Sequence, residues 1–486
     1  MEQNKEYRIG WYSRDGYIDF YPLMAEAFRK EGYNVSSYHA CNYSLDVEYL
    51  SARYGIKEPW VLSRYQKSRK WDISDNAIRD LEKKFNARSL TECLWPDRFE
   101  KKLKEDTQRE NIVSHFAFWE DFIKTNKIDI LVSEFPSILA TCVAWVVCQK
   151  YGVQFLSFGD MPIQGDRVGI ITSWEGHYEG LLDAVKNDYM PIAGDTELDR
   201  LTKIYLEDIK CNGVRKTKKA IVDMEEAKSR GVFKGIFFKD ILNRLEKIKR
   251  DKEYYVYDKS FILRLINRVK APLYRKMLLL GDTFNRDYFP DKERYFFFPL
   301  HMPGEWSNYS FLGLRNADQV AVVREASYCL PLGAYLYVKE HTTGFGNRNM
   351  SFYKEIKKIP NVRLINPYAN TMELIKKSQA VVTLGSTVGF ETFLLRRPVI
   401  YWGEPWYRGF FGMYKANTPE QLSRLMQNAG SLHVATDEEV YRCIRAMFAS
   451  SFQGFTYPLT TLIEESNIYK FVRATAKYLI QKFSIH

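Results

Sequence analysis

Several kinds of chemistry are missing from this sequence. Its seven cysteines are an odd number with no CxxC pair, which excludes a disulfide-stapled scaffold and reads as reduced thiols in a cytoplasmic protein. Seven histidines lie far apart with no HExxH, so no metal site is indicated and no cofactor is expected. There is no GxSxG for a serine hydrolase, no GK[ST] for a phosphate-binding P-loop and no GxGxxG for a dinucleotide. The longest apolar stretch, Ile138 to Cys148, is too short to cross a bilayer, and the opening MEQNKEYRIG has no apolar core to act as a signal peptide. These absences predict a cytoplasmic chain without a membrane span.

What is present describes a folded protein of more than one domain. Hydrophobic residues make up 45% and charged residues 27% of 486 positions, and aromatics reach 15%, a level that suits clefts lined by rings. Charge is unevenly placed. Residues 201–280 hold 21 of the 71 Lys/Arg and 10 of the 60 Asp/Glu, leaving 50 of each sign elsewhere, so the formal charge of +11 belongs to one segment. There Phe233, Ile236, Phe237, Ile241, Leu242 and Leu245 recur at helical spacing among basic residues. Such a segment is either a solvated helical linker or a surface that docks on an anionic membrane leaflet, peripherally on the cytoplasmic side. Nucleic acid is not an expected partner, because no zinc-finger spacing or RNP-type aromatic string accompanies the basic run.

The pattern along the chain is strand and helix in alternation. YRIGWY, a polar turn over Ser13 to Asp19, and YPLMAEAFRKEGYNVSSYHA read as a βαβ opening. A charged helical insert follows over about 50–125, then the strand IDILVSEF, the helix SILATCVAWVVCQKYG and the strand VQFLSFGD. After the basic segment five strands alternate with four helices, from ERYFFFPLHMP to PVIYWGE. The expected plan is α/β with two doubly wound lobes facing a cleft. The divisions are 1–195, a basic helical segment 196–284, a second lobe 285–460, and a C-terminal helix in 461–486 packing back on the first lobe.

Ligands on such sheets bind at the carboxyl ends of the strands, and candidate residues collect there. Gly385, Ser386, Thr387 and Gly389 join the apolar strand AVVTL to a helix, where backbone N–H groups, hydroxyls and the helix dipole would seat a phosphate; a plain helix cap is the alternative. Glu391 reads as a capping-box partner or a ribose-binding carboxylate. Lys339, Glu340 and His341 close the strand AYLYV, and His301 and Glu305 follow the first strand of the same lobe. In the first lobe Asp15, Glu134 and Asp160 follow three strands. A transferase of this plan needs a carboxylate there as general base or nucleophile, and Glu134 is the primary candidate, with N-capping ahead of Pro136 as its bland alternative.

Residues 294 to 407 resemble the capsule polysaccharide biosynthesis protein family, which includes bacterial Kdo transferases. The resemblance lies in YFFFPLHMPGE, LPLGAYLYVKEH, FYKEIKKIPNVRLINP and ELIKKSQAVVTLGSTVGFETFLLRRPVIYWGEPWY, and in their order. It implies a GT-B glycosyltransferase with a nucleotide-sugar donor on the C-terminal lobe and a saccharide or lipid-linked acceptor reached from the N-terminal lobe. By position, His341, Ser386 and Thr387 would hold the donor phosphate or sugar carboxylate, Asn366 and Pro367 would border the base, and Glu391 the ribose. Two departures leave the donor base open: Thr342 follows His341 where related CMP-sugar transferases usually show proline, and His301-Met302-Pro303-Gly304-Glu305 stands where they read more like HYQPE. A nucleotide-sugar 2-epimerase or a polyol-phosphate transferase would use a similar lobe, and a non-catalytic membrane scaffold is a third class.

Overall fold

The computed structural model describes residues 6–87, 89–97, 100–163, 166–187, 196–214, 273–285, 288–302, 318–342, 344–457 and 459–483. Most of the basic segment, including Phe233 to Leu245, lies outside them, as does Glu305. The described residues fall into two units, one from 6–179 and 450–483, the other from 180–214 and 273–449.

In the first unit β1 (Tyr7–Ser13), β2 (Val35–Cys41), β3 (Trp60–Val61), β4 (Ile130–Val132), β5 (Gln154–Met161) and β6 (Arg167–Ile171) form one sheet. In the second, β7 (Tyr295–Pro299), β8 (Tyr335–Lys339), β9 (Val362–Ile365), β10 (Val381–Thr383), β11 (Val399–Tyr401) and β12 (Met413–Lys415) form another. The chain returns to the first sheet through β13 (Phe452–Gln453), which pairs antiparallel with β6 ahead of the C-terminal helix. The sheet orders are β13-β6-β5-β4-β1-β2-β3 and β12-β11-β10-β7-β8-β9. Each contains the doubly wound order whose direction of travel reverses once, between β1 and β4 and between β7 and β10. The second sheet is parallel throughout, whereas β5 and β6 run antiparallel in the first.

Both faces of each sheet are buried, which is why the strands read as nearly unbroken apolar runs. Ile9, Trp11, Ile130 and Val132 face one core with helices Phe20–Lys30 and Glu465–Phe483. Tyr12, Leu131 and Phe155 face the other, with helices Glu105–Asn126 and Leu139–Tyr151. The C-terminal helix thus packs on the first lobe. Gly10 is required by close approach, since a Cβ there would lie 2.8 Å from the Phe122 ring. In the second lobe Phe296, Phe298, Leu336 and Val338 alternate with Tyr295, Phe297 and Tyr337 across the two faces. β3, β6, β12 and β13 are not among the strands expected from the sequence, and β3 and β13, at two residues each, are too short to carry a period.

Candidate active site

The parallel sheet of the second lobe places β10, β7, β8 and β9 side by side, so the turns after them line one edge in that order. They carry Ser386, His301, His341 and Asn366. After β7, the His301 backbone N–H donates to Gln319 Oε1 at 2.8 Å and its carbonyl accepts from Arg348 Nη2. His301 is 6% exposed, and its buried Nε2 has no hydrogen-bond partner among the described residues. Burial, with His341 and Arg348 nearby, pushes the imidazole down to about 3, so it is neutral and its Nε2 is available to a ligand. An unpaired buried polar atom of this kind is costly unless something else completes it.

After β8, Glu340 points inward. Its carboxylate accepts from Arg348 Nε at 2.9 Å, Tyr353 Oη at 3.0 Å and the His341 N–H at 2.7 Å, and burial raises its pKa. Glu340, His341 and Arg348 on the loop after β8 and Tyr353 on the helix that follows are thereby locked together. Glu340 is accordingly a positioning group for the His301 and His341 loops. Lys339 is also buried, on the strand, while His341 is exposed. The Thr342 hydroxyl donates to the Pro367 carbonyl at 3.2 Å and ties this loop to the one after β9, where Asn366 Oδ1 accepts from the Tyr368 N–H. Thr342, the departure from the family pattern, therefore has a structural use.

After β10, Thr383 Oγ1 accepts from the N–H groups of Gly385 and Ser386, at 3.3 and 3.1 Å. Ser386 caps the helix Thr387–Leu394, accepting from the Val388 N–H at 3.2 Å. The capping role is thus filled, and it leaves the helix N-terminus at the carboxyl edge, with its dipole favouring an anion. Gly389 serves packing: the Tyr407 hydroxyl, which donates to the Ser386 carbonyl at 2.7 Å, would lie 2.1 Å from a Cβ at that position. Glu391 sits beyond the first turn. The third helical residue is Gly389, so a capping box with Glu391 is ruled out.

In the first lobe Glu134 lies just past β4, at the reversal point, paired with the Arg14 guanidinium from the end of β1. It does not cap the next helix. Asp97 Oδ2 accepts from the Leu139 N–H at 3.1 Å and Thr141 Oγ1 from the Ser137 N–H at 3.1 Å instead. Buried hydroxyls of Ser13 and Ser133 at the same two strand ends have no hydrogen-bond partner among the described residues. Burial together with Glu134 and Asp160 raises the Tyr17 phenol. Asp160 lies within β5, opposite Val168, and accepts from the Thr456 hydroxyl, so it is less available than Glu134. Asp15 begins the single turn Asp15–Tyr17 after β1. Among the described residues no group of three His, Cys, Asp or Glu could hold a metal ion.

Arg348, Gln319, Tyr407 and Arg14 were not legible as site residues, because each acts through a partner distant in sequence, and Thr383, whose partners are two and three residues on, read as the last residue of an apolar strand. Arg14 alone carried a signal, as a cation at a strand's carboxyl end.

Residues 215–448 match the family model described as capsule polysaccharide biosynthesis protein. That match spans the sheet of the second lobe and stops short of half of the chain. KpsC of Thermosulfurimonas dismutans, as a beta Kdo 2,7 transferase, is 13% identical over 77% of this chain and 98% of that one, with a TM-score of 0.32. The same organism's KpsC as a beta Kdo 2,4 transferase is 14% identical over 65% and 79%, TM-score 0.30. A putative UDP-N-acetylglucosamine 2-epimerase of Listeria monocytogenes is 10% identical over 98% and 97%, TM-score 0.27. No curated protein matches the chain. The two doubly wound lobes are themselves consistent with the GT-B-like plan that the resemblance implies.

Proposed function

We propose that this protein is a capsule-family glycosyltransferase, which binds a nucleotide-sugar on its second lobe and moves the sugar to a saccharide hydroxyl received by its first. The observation that carries the reading is the buried Nε2 of His301, without a partner among the described residues, in the loop after β7 at the reversal point of the second sheet, beside the Ser386 turn after β10. His341 and the helix N-terminus at Thr387 supply neighbouring donors for the phosphate oxygens, and Glu391, Asn366 and Pro367 border the nucleoside. Lys339, Glu340 and Gly389 hold the loops in place.

In the transfer the acceptor oxygen bonds to the anomeric carbon as the carbon–oxygen bond to the nucleotide phosphate breaks. The acceptor proton passes to Glu134, and the nucleotide leaves with the bonding electrons, stabilised by the donors at Ser386 and Thr387. Where the first step uses Glu134 as nucleophile instead, a glycosyl–enzyme ester precedes the same acceptor attack.

A thermal-shift panel of CMP, CDP, UDP and GDP on the wild type, Ser386→Ala and Glu134→Gln tests this, since a ligand that binds only the folded state raises its melting temperature. One nucleotide should stabilise the wild type and Glu134→Gln but not Ser386→Ala, and Glu134→Gln should lose sugar transfer from the matching donor. A sugar altered with no acceptor present would make the enzyme an epimerase. Flat curves with every nucleotide would overturn the donor site.

A further inference from the structure

The basic segment ends in described structure, and its last helical stretch, residues 273–280, has two dissimilar faces. One is anchored: Leu278 is fully buried in the second lobe's core, the Tyr274 hydroxyl donates to the Arg348 carbonyl at 2.9 Å, and Arg275 Nε donates to the Phe345 carbonyl at 2.8 Å. The other is apolar and bare. Leu273, Met277 and Leu280 stand at i, i+4 and i+7, a single helix face, and are 72%, 51% and 70% exposed. Exposed Lys276 lies among them. Beside the stripe a groove of about 280 Å³ is lined by Met277, Met350, Tyr353, Lys354 and Lys357. Lys357 is paired with exposed Asp282, while Lys276 and Lys354 face solvent.

We infer that this face docks on an anionic lipid bilayer, with Leu273, Met277 and Leu280 entering the boundary between headgroups and acyl chains. Two features select that occupant. Three large apolar side chains held outward by an anchored helix match shallow insertion, and the sequence leading into them over 201–280 carries the whole +11 excess of the chain. Among the described residues no helix is long and apolar enough to span a membrane, so attachment here would be to one surface. The inference goes beyond the proposed reaction and needs neither donor nor acceptor.

Flotation of the full chain with vesicles of phosphatidylcholine alone, and with vesicles holding about one third phosphatidylglycerol, tests it. The wild type should float with the anionic vesicles only and be released by high salt. Leu273→Glu/Leu280→Glu should weaken that binding on the order of tenfold with an unchanged melting temperature, and Met277→Glu should weaken it less. A double variant that floats like the wild type, equal binding to neutral vesicles, or no flotation at all would overturn the inference. So would a lipid-free dimer abolished by the same double variant, which would make a second copy the occupant.

Discussion

At the end of β8 a carboxylate and a guanidinium are withdrawn from water together, Glu340 with 1% exposure and the Arg348 side chain with 8%. Burial alone would make each costly, and the pair persists because Tyr353, the His341 N–H, Gln319 and the His301 carbonyl complete its hydrogen bonds. Removing one member leaves the other charged and alone. Arg348→Met should therefore destabilise the second lobe by roughly 3–5 kcal/mol, whereas Arg348→Met with Glu340→Gln should recover most of the loss, since the amide still bonds Tyr353 and His341. Urea denaturation of the single and double variants measures both. Equal losses in the two would mean that Arg348 matters through its stacking on Phe352, 4.2 Å from the ring centroid, and not through its charge.

Among the elements, the C-terminal helix Glu465–Phe483 shows how distant sequence completes a core. Its Ile468, Phe471, Val472 and Leu479 cover the sheet face left open beside helix Phe20–Lys30. Phe471 meets Phe20, Phe158 and Phe452 edge-on, with centroids 5.0, 4.9 and 5.0 Å away. Phe471→Ala should cost about 3–5 kcal/mol from lost burial and the cavity left behind. Differential scanning calorimetry would show a lower melting temperature. An unchanged transition would mean that the helix is not integral to the first lobe. The amphipathic period of this helix is plain in the sequence. Its target was inferred from connectivity, and the core contacts supply the reason.

Across the whole molecule, neutral buried histidines in both lobes make stability depend on pH, and burial lowers His39 of the first lobe to about 4 as well. Burial pushes His115 down to about 4 and His301 to about 3. Between those values and the ordinary 6.5 the unfolded chain binds more protons than the folded one, so stability is complete above pH 6.5 and declines as pH falls towards 4. Glu340, raised by burial, works in the opposite sense. From pH 6.5 to 5 each histidine should remove up to about 2 kcal/mol, so melting temperatures should fall, and the fall should be smaller in His301→Gln. A melting temperature flat over pH 5 to 7 would show that these imidazoles are hydrated in the native state.

Much of this protein was determined by local sequence. Runs such as YFFFP and AYLYVK are apolar at consecutive positions because both sheet faces are covered, and that alone predicts parallel strands with helices between them. It also places His301, His341, Asn366 and Ser386 at strand ends, which is where they are found. What only the tertiary structure decided is how those ends are used. Strand order sets β7 beside both β10 and β8, and side-chain direction separates Glu340, turned inward onto Arg348, from His341, turned outward one residue later. Neither follows from spacing, because order depends on crossover paths between distant segments, and the inward or outward choice depends on a partner eight residues away in a loop without periodicity.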